Sequence, residues 1–115
     1  MRLDIKATPR EFQAAGITIK DFGKLFLAEH DMVSMVSPGG KECDFTAMSW
    51  GFYLAPSLNS RLRAQGFKVA LVRNQQGRLF LNAVEVEKLA LFQQYLNAQD
   101  SKVLCWLDEW EETGQ

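Results

Sequence analysis

The sequence predicts a single α+β domain whose mostly antiparallel sheet is built from two hairpins, accompanied by three to four helices. Its 115 residues suffice for one hydrophobic core. Apolar residues recur at spacings of three and four in some segments, and short apolar runs bounded by turn residues occupy others. The content of 47% hydrophobic and 23% charged residues is typical of globular proteins. Because no linker or repeat divides the chain, residues 1–115 are expected to form one domain.

Two helices are predicted near the N-terminus. The sequence Thr-Pro-Arg-Glu at residues 8–11 resembles a helix-capping box with proline at the first helical position, so a short helix ending at Gly16 is expected. A second helix is expected from Thr18 to about Glu29. Its apolar face would carry residues at spacings of three and four, namely Ile19, Phe22 and Phe26.

The middle of the chain predicts a hairpin followed by a helix. Residues 32–36 and 42–53 are predicted strands joined by the turn sequence Ser-Pro-Gly-Gly at residues 37–40. Gly51 suggests a bulge in the second of these strands. The helix is expected to open at Pro56 and to close at Gly66.

A second hairpin and a helix are predicted after Gly66. Phe67–Arg73 and residues 78–84 flank the loop 74–77, and symmetric closure would pair Arg73 with Arg78. Both faces of this hairpin would be largely apolar. Apolar residues on one stripe predict a helix over residues 85–98. Residues 102–110 fit either a strand or a helix, and we favour a strand over residues 102–107 followed by a frayed acidic tail.

Charge is distributed unevenly along a chain whose formal net charge is −1. Residues 45–84 contain five basic and no acidic side chains, whereas residues 85–115 contain two basic and seven acidic ones. The basic segment is a candidate anion or nucleic-acid site composed of Arg61, Arg63, Lys68, Arg73 and Arg78. The alternative is an ordinary solvated surface that the acidic end of the chain partly neutralises. An isoelectric point near 5.8 disfavours nucleic acid as a partner.

The sequence indicates no catalytic residue, metal site or cofactor. His30 is the single histidine, and the acidic neighbours of Cys43 would raise the pKa of its thiol rather than activate it. Cys43 and Cys105 lack metal-ligand spacing and are expected to be free thiols. A small enzyme with an unrecognised pocket is the rival interpretation. It would require polar groups such as Asp44, Tyr53 and Arg73 to converge.

The function that the sequence favours is non-catalytic binding, by self-association or to a protein or small-molecule ligand. The chain contains three tryptophans, eight phenylalanines and four methionines. This is more large apolar side chains than a core of this size always buries, and an excess would lie at an interface or line a pocket. The expected interface or pocket residues are Trp50, Phe52, Tyr53, Trp106 and Trp110. We expect a homodimer. Without a signal-peptide pattern or a membrane-length apolar run, the cytoplasm is the expected location. Origin as a bacterial mobile-element orphan, such as an integron cassette product, is a hypothesis from the lack of motifs.

Overall fold

The computed structural model describes residues 1–54 and 56–111, and strands dominate it. Of these residues, 53% lie in strands and 18% are helical. The strands form three small sheets, and one helix in the described part extends beyond a single turn. The prediction of an α+β fold with three to four helices is therefore wrong.

The described chain contains eight strands and two α-helices. They are β1 (Arg2–Ala14), β2 (Ile17–Phe26), β3 (Met32–Val36), β4 (Glu42–Met48), β5 (Gly51–Leu54), α1 (Arg61–Ala64), β6 (Phe67–Arg73), β7 (Leu79–Glu85), α2 (Leu89–Ala98) and β8 (Lys102–Trp106). Single 3₁₀ turns occupy Val86–Lys88 and Leu107–Glu109. The sheets have the strand orders β1-β2, β3-β4-β5 and β7-β6-β8.

The chain divides into two compact units. The first comprises Met1–Ser34 and Asp44–Ala55, and contains the β1–β2 hairpin together with β5 and most of β4. The second comprises Met35–Cys43 and Pro56–Gln115, and contains the β7-β6-β8 sheet with both helices. Whether they constitute the expected single domain stays a prediction.

The two helices predicted near the N-terminus are replaced by the β1–β2 hairpin. Its turn, Ala15-Gly16, has φ angles of 52° and 73°, the pair of positive values that a type I′ turn requires. The register shifts between Ile5 and Arg10, so Pro9 lies in the irregular stretch where its missing N–H breaks no ladder bond. The capping-box pattern at residues 8–11 was misleading, because apolar and polar residues alternate on both sides of the turn and this alternation favours cross-strand pairing.

Two further predictions in the middle of the chain need correction. The predicted strand over residues 42–53 is two strands, β4 and β5, because the chain turns at Ser49-Trp50 and pairs Met48 with Gly51. Gly51, with φ of 139°, begins β5 instead of forming a bulge within a longer strand. The helix predicted from Pro56 to Gly66 is reduced to the single turn of α1.

The hairpin predicted after Gly66 is confirmed as β6–β7, but its register differs by one residue. Asn74 N donates to Arg78 O at 3.0 Å, and Gly77 takes a φ of 81°. The loop is therefore the three-residue type that ends in a left-handed glycine. Arg73 consequently pairs with Leu79, and the predicted pairing of Arg73 with Arg78 is wrong. A shift of one residue changes every cross-strand neighbour.

The sheet containing β6 holds the core on both of its faces. Ala70 and Val72 pack with Leu96 of α2, which confirms the helix predicted over residues 85–98 in its main part. On the other face, Phe67 and Val69 pack with Leu62 of α1.

The favoured strand after residue 101 is confirmed as β8, which pairs with β6. The prediction that a frayed acidic tail follows this strand is wrong at Asp108, because this residue is buried, with 4% of its surface exposed. The part of that predicted tail beyond residue 111 lies outside the described residues.

Candidate functional site

The end of the β1–β2 hairpin near its turn is amphipathic. Opposed residues share a face and consecutive residues alternate. One side carries the pairs Phe12 with Ile19 and Ala14 with Ile17, whereas the other carries Glu11 with Lys20 and Gln13 with Thr18. We define the hairpin face as the first side together with the charged pair that continues it. It consists of Arg10, Phe12, Ala14, Ile17, Ile19 and Asp21.

An ion pair borders the apolar part of the hairpin face. Arg10 Nη2 lies 3.1 Å from Asp21 Oδ2, and the guanidinium carbon lies 4.9 Å from the centroid of the Phe12 ring. Asp21 Oδ1 also accepts a hydrogen bond from Gly23 N at 3.0 Å. This backbone bond, followed by the bond from Arg10, lowers the pKa of Asp21. Near neutral pH the face therefore carries one positive and one negative group side by side.

The apolar side chains of the hairpin face are exposed. Phe12, Ile17 and Ile19 keep 39%, 47% and 38% of their surface accessible. A two-stranded sheet without a covering layer is marginally stable in water. A layer over this face would bury the side chains that the alternation has sorted onto one side. Sequence reasoning missed this surface because it assigned both segments to helices.

The five aromatic residues predicted for an interface or pocket occupy different environments. Trp50, Phe52, Tyr53 and Trp110 are exposed, and Trp50 at the β4–β5 turn retains 68% of its surface. Trp106 is half-buried in β8. Its ring meets Phe92 edge to face at 6.1 Å between centroids and packs against the core beneath α2.

Part of the basic segment binds the acidic end of the chain. The buried carboxylate of Asp108 accepts hydrogen bonds from Val69 N at 3.0 Å and from Lys68 Nζ at 3.1 Å. Lys68 also contacts the carboxylate of Glu109. Arg63 Nη2 donates to the backbone oxygen of Asp108 at 2.6 Å and lies 3.9 Å from its carboxylate. Lys68 and Arg63 are thereby engaged within the chain.

The electrostatics of this cluster favour its charged form. Burial acts to raise the pKa of Asp108, but hydrogen bonds from Val69 N and Lys68 outweigh it and leave the pKa lowered. The hydrogen bond to Glu109, followed by the contacts with Asp108, raises the pKa of Lys68 against the effect of burial. The cluster is a structural clamp between β6 and the segment after β8, and it leaves fewer cations for an external anion.

The remaining basic residues are distributed differently. Arg61 lies in α1, where its charge acts on Cys43. Arg78 is exposed beside the β6–β7 loop, and its backbone N donates to Asn74 Oδ1 at 2.9 Å. Arg73 lies opposite Lys102 of β8. The acidic end therefore engages Arg63 and Lys68 of the predicted set, and Lys102, which was not predicted, lies opposite Arg73.

The side chains considered for catalysis differ in burial and in their hydrogen-bond partners. Asp44 is buried and accepts a hydrogen bond from Ser34 Oγ at 2.6 Å, whereas the Tyr53 side chain is exposed. Burial raises the pKa of the half-buried Cys43 thiol, which opposes nucleophilic reactivity. The exposed His30 has a φ of 73°, and its backbone N donates to Ala47 O at 2.7 Å.

Within residues 1–54 and 56–111, no cluster of three or more histidine, cysteine or acidic side chains is arranged to hold a metal ion. The helices of that same part are all too short or too polar to cross a bilayer. Comparisons of the chain with protein-family models, with curated proteins and with solved structures give no match.

Proposed function

We propose that this protein is a non-catalytic binding module that self-associates into a homodimer through the hairpin face. The observation that carries the proposal is the sorting of exposed apolar side chains onto one side of the β1–β2 hairpin. An exposed apolar patch with a charged border is typical of a protein interface. Free Cys43 and Cys105 fit the reducing conditions of the cytoplasm, which we propose as its location.

A second copy is the occupant that the charges of the hairpin face favour. When two faces stack about a two-fold axis parallel to the hairpin, β1 of each copy lies over β2 of the other. Phe12 then meets the second copy's Ile19, and Arg10 meets the second copy's Asp21. The two internal ion pairs combine into an arrangement of four alternating charges. The face is therefore complementary to itself in both charge and apolar character.

The expected dimer is reversible. Each copy contributes the half-exposed side chains of Phe12, Ile17 and Ile19. Because these side chains are already partly buried in the single copy, the apolar gain on association is modest, and the cost of association offsets part of it. We therefore expect a weak dimer that forms at several hundred micromolar and dissociates on dilution.

Reversing one charge at a time tests the intermolecular contact. The Arg10→Asp variant carries two negative charges on the hairpin face, and the Asp21→Arg variant carries two positive charges. Each variant alone should be monomeric by light scattering where the wild type is dimeric. An equimolar mixture should restore a dimer that contains one copy of each variant, detectable by native mass spectrometry. Each variant lacks the ion pair between residues 10 and 21 within one copy, and mixing does not restore that pair. Recovery of the dimer on mixing would therefore report a contact between the two copies.

The opposite side of the same hairpin supplies matched controls. Glu11 and Lys20 are also directly opposed across the two strands. The variants Glu11→Lys and Lys20→Glu change the charge by the same amounts, and each should dimerise like the wild type. A wild type that stays monomeric at several hundred micromolar would overturn the homodimer. A mixture of Arg10→Asp and Asp21→Arg that shows no preference for mixed dimers would also overturn it.

A further inference from the structure

Two cations lie side by side at the end of the β7-β6-β8 sheet. Arg73, the last residue of β6, is directly opposite Lys102, the first residue of β8. Both residues are exposed. Like charges that are directly opposed on adjacent strands destabilise a sheet. An anion held between them would relieve this repulsion.

Within the part of the chain that the structure describes, no carboxylate forms an ion pair with either of these two cations. Asp100 is nearby, but it forms no ion pair in that part of the chain either. The situation differs from that of Lys68, which contacts both Asp108 and Glu109.

The pair borders an open depression of about 470 Å³. Its lining consists of Arg73, Asn74, Gln75, Gly77, Asp100 and Lys102. Asn74 Oδ1 accepts hydrogen bonds from Gln76 N and Arg78 N at 3.0 and 2.9 Å. The Asn74 side chain therefore has its NH₂ group as a remaining donor. Two cations and an amide donor thus belong to one concave surface.

We propose that this depression binds the phosphate group of a small molecule. The planar guanidinium of Arg73 suits two phosphate oxygens, and the Lys102 ammonium supplies a second positive charge. A nucleic-acid backbone would require several such contacts in a row. The engagement of Lys68 and Arg63 by the acidic end, together with the negative charge of Asp100, favours a single phosphate group instead.

Calorimetric titration with inorganic phosphate tests the site, with sodium chloride added to equalise ionic strength. The Arg73→Gln and Lys102→Gln variants should each weaken binding by about tenfold, because each removes one charge-assisted contact. Lys20→Gln removes an equal charge from the hairpin and should leave the affinity unchanged. Since these side chains are exposed, circular dichroism should show the same fold in all four proteins.

A change at Asp100 supplies a test with the opposite sign. Asp100 has a φ of 52°, a backbone conformation that asparagine also tolerates. Asp100→Asn removes a negative charge from the lining and should strengthen phosphate binding several-fold. A merely disruptive substitution would weaken it.

Parallel titrations identify the source of the phosphate. Binding of inorganic phosphate or of a sugar phosphate, with the stated effects of the variants, supports the proposal. The proposal is overturned if chloride alone reproduces the heat signal or if the Arg73 and Lys102 variants bind phosphate like the wild type. Preferential binding of short single-stranded DNA with a steep salt dependence would replace it with a nucleic-acid site.

Discussion

Asp108 shows how one residue can join distant parts of a chain. Its carboxylate is almost fully buried, yet it is satisfied by a backbone N–H of β6 and by the Lys68 ammonium. A buried carboxylate without such partners would be strongly destabilising. From the sequence, Asp108 is one of several acidic residues near the C-terminus. What distinguishes it is the pairing of β6 with β8, which brings the segment after β8 back to Lys68.

We predict that Asp108→Asn lowers the free energy of unfolding by about 2 kcal/mol at pH 7. The asparagine oxygen can still accept from Val69 N, but the amide NH₂ group cannot accept from Lys68. Glu109→Gln is the control: its side chain is 56% exposed, so its loss should cost at most about 1 kcal/mol. Urea unfolding of the three proteins measures both effects. Equal losses would contradict the importance of burial at Asp108.

The lowered pKa of Asp108 also predicts how the effect of this substitution on stability depends on pH. Because the pKa of Asp108 is lowered on folding, its contribution is present above the ordinary value of 3.8 and is lost as pH falls through the folded value. The difference in unfolding free energy between wild type and Asp108→Asn should therefore shrink below that pH. The raised pKa of Lys68 acts oppositely: its contribution is lost as pH rises through a folded value above 10.5.

Among the elements, α2 is the helix that packs most clearly against a sheet. Leu96 meets Ala70 and Val72 of β6, with Phe92 and Trp106 packed beside them. The apolar spacing in the sequence was sufficient to predict this helix because one stripe faces the core. The N-terminal segments also contained helical spacing, but there the turn geometry and alternation produced a hairpin.

We predict that Leu96→Ala costs about 3 kcal/mol of unfolding free energy, because it leaves a cavity beneath α2. Leu91 is the matched control on the same helix. Leu96 is 1% exposed and Leu91 is 62% exposed, so Leu91→Ala should change stability by about 0.5 kcal/mol or less. The midpoints and slopes of urea unfolding give the unfolding free energy of each variant. A similar loss in both variants would contradict the packing of α2 against β6.

At the scale of the whole molecule, the exposed apolar surface distinguishes this chain. Large apolar side chains remain exposed on the β1–β2 hairpin, on β5 and on β7; examples are Phe12, Phe52 and Leu81. The hairpin face is where this surface also carries complementary charges. This combination is why we assign self-association to that face.

The proposed homodimer predicts that the melting temperature depends on protein concentration. If folding and association are coupled, the wild type should melt a few degrees higher at several hundred micromolar than at a few micromolar. Arg10→Asp should melt at a concentration-independent temperature. Glu11→Lys should retain the dependence of the wild type. A wild-type melting temperature that does not change with concentration would contradict a dimer coupled to stability.

The sequence by itself determined the β6–β7 hairpin, the helix α2, the favoured strand β8 and the segregation of charge. Each depends on local turn chemistry, periodicity or composition. The tertiary structure decided the β1–β2 hairpin, the burial of Asp108 and the juxtaposition of Arg73 with Lys102. These features depend on pairing and register between segments. A shift of one residue, as between the predicted and observed β6–β7 pairing, changes which side chains meet, and helical spacing does not prevent a segment from pairing as a strand.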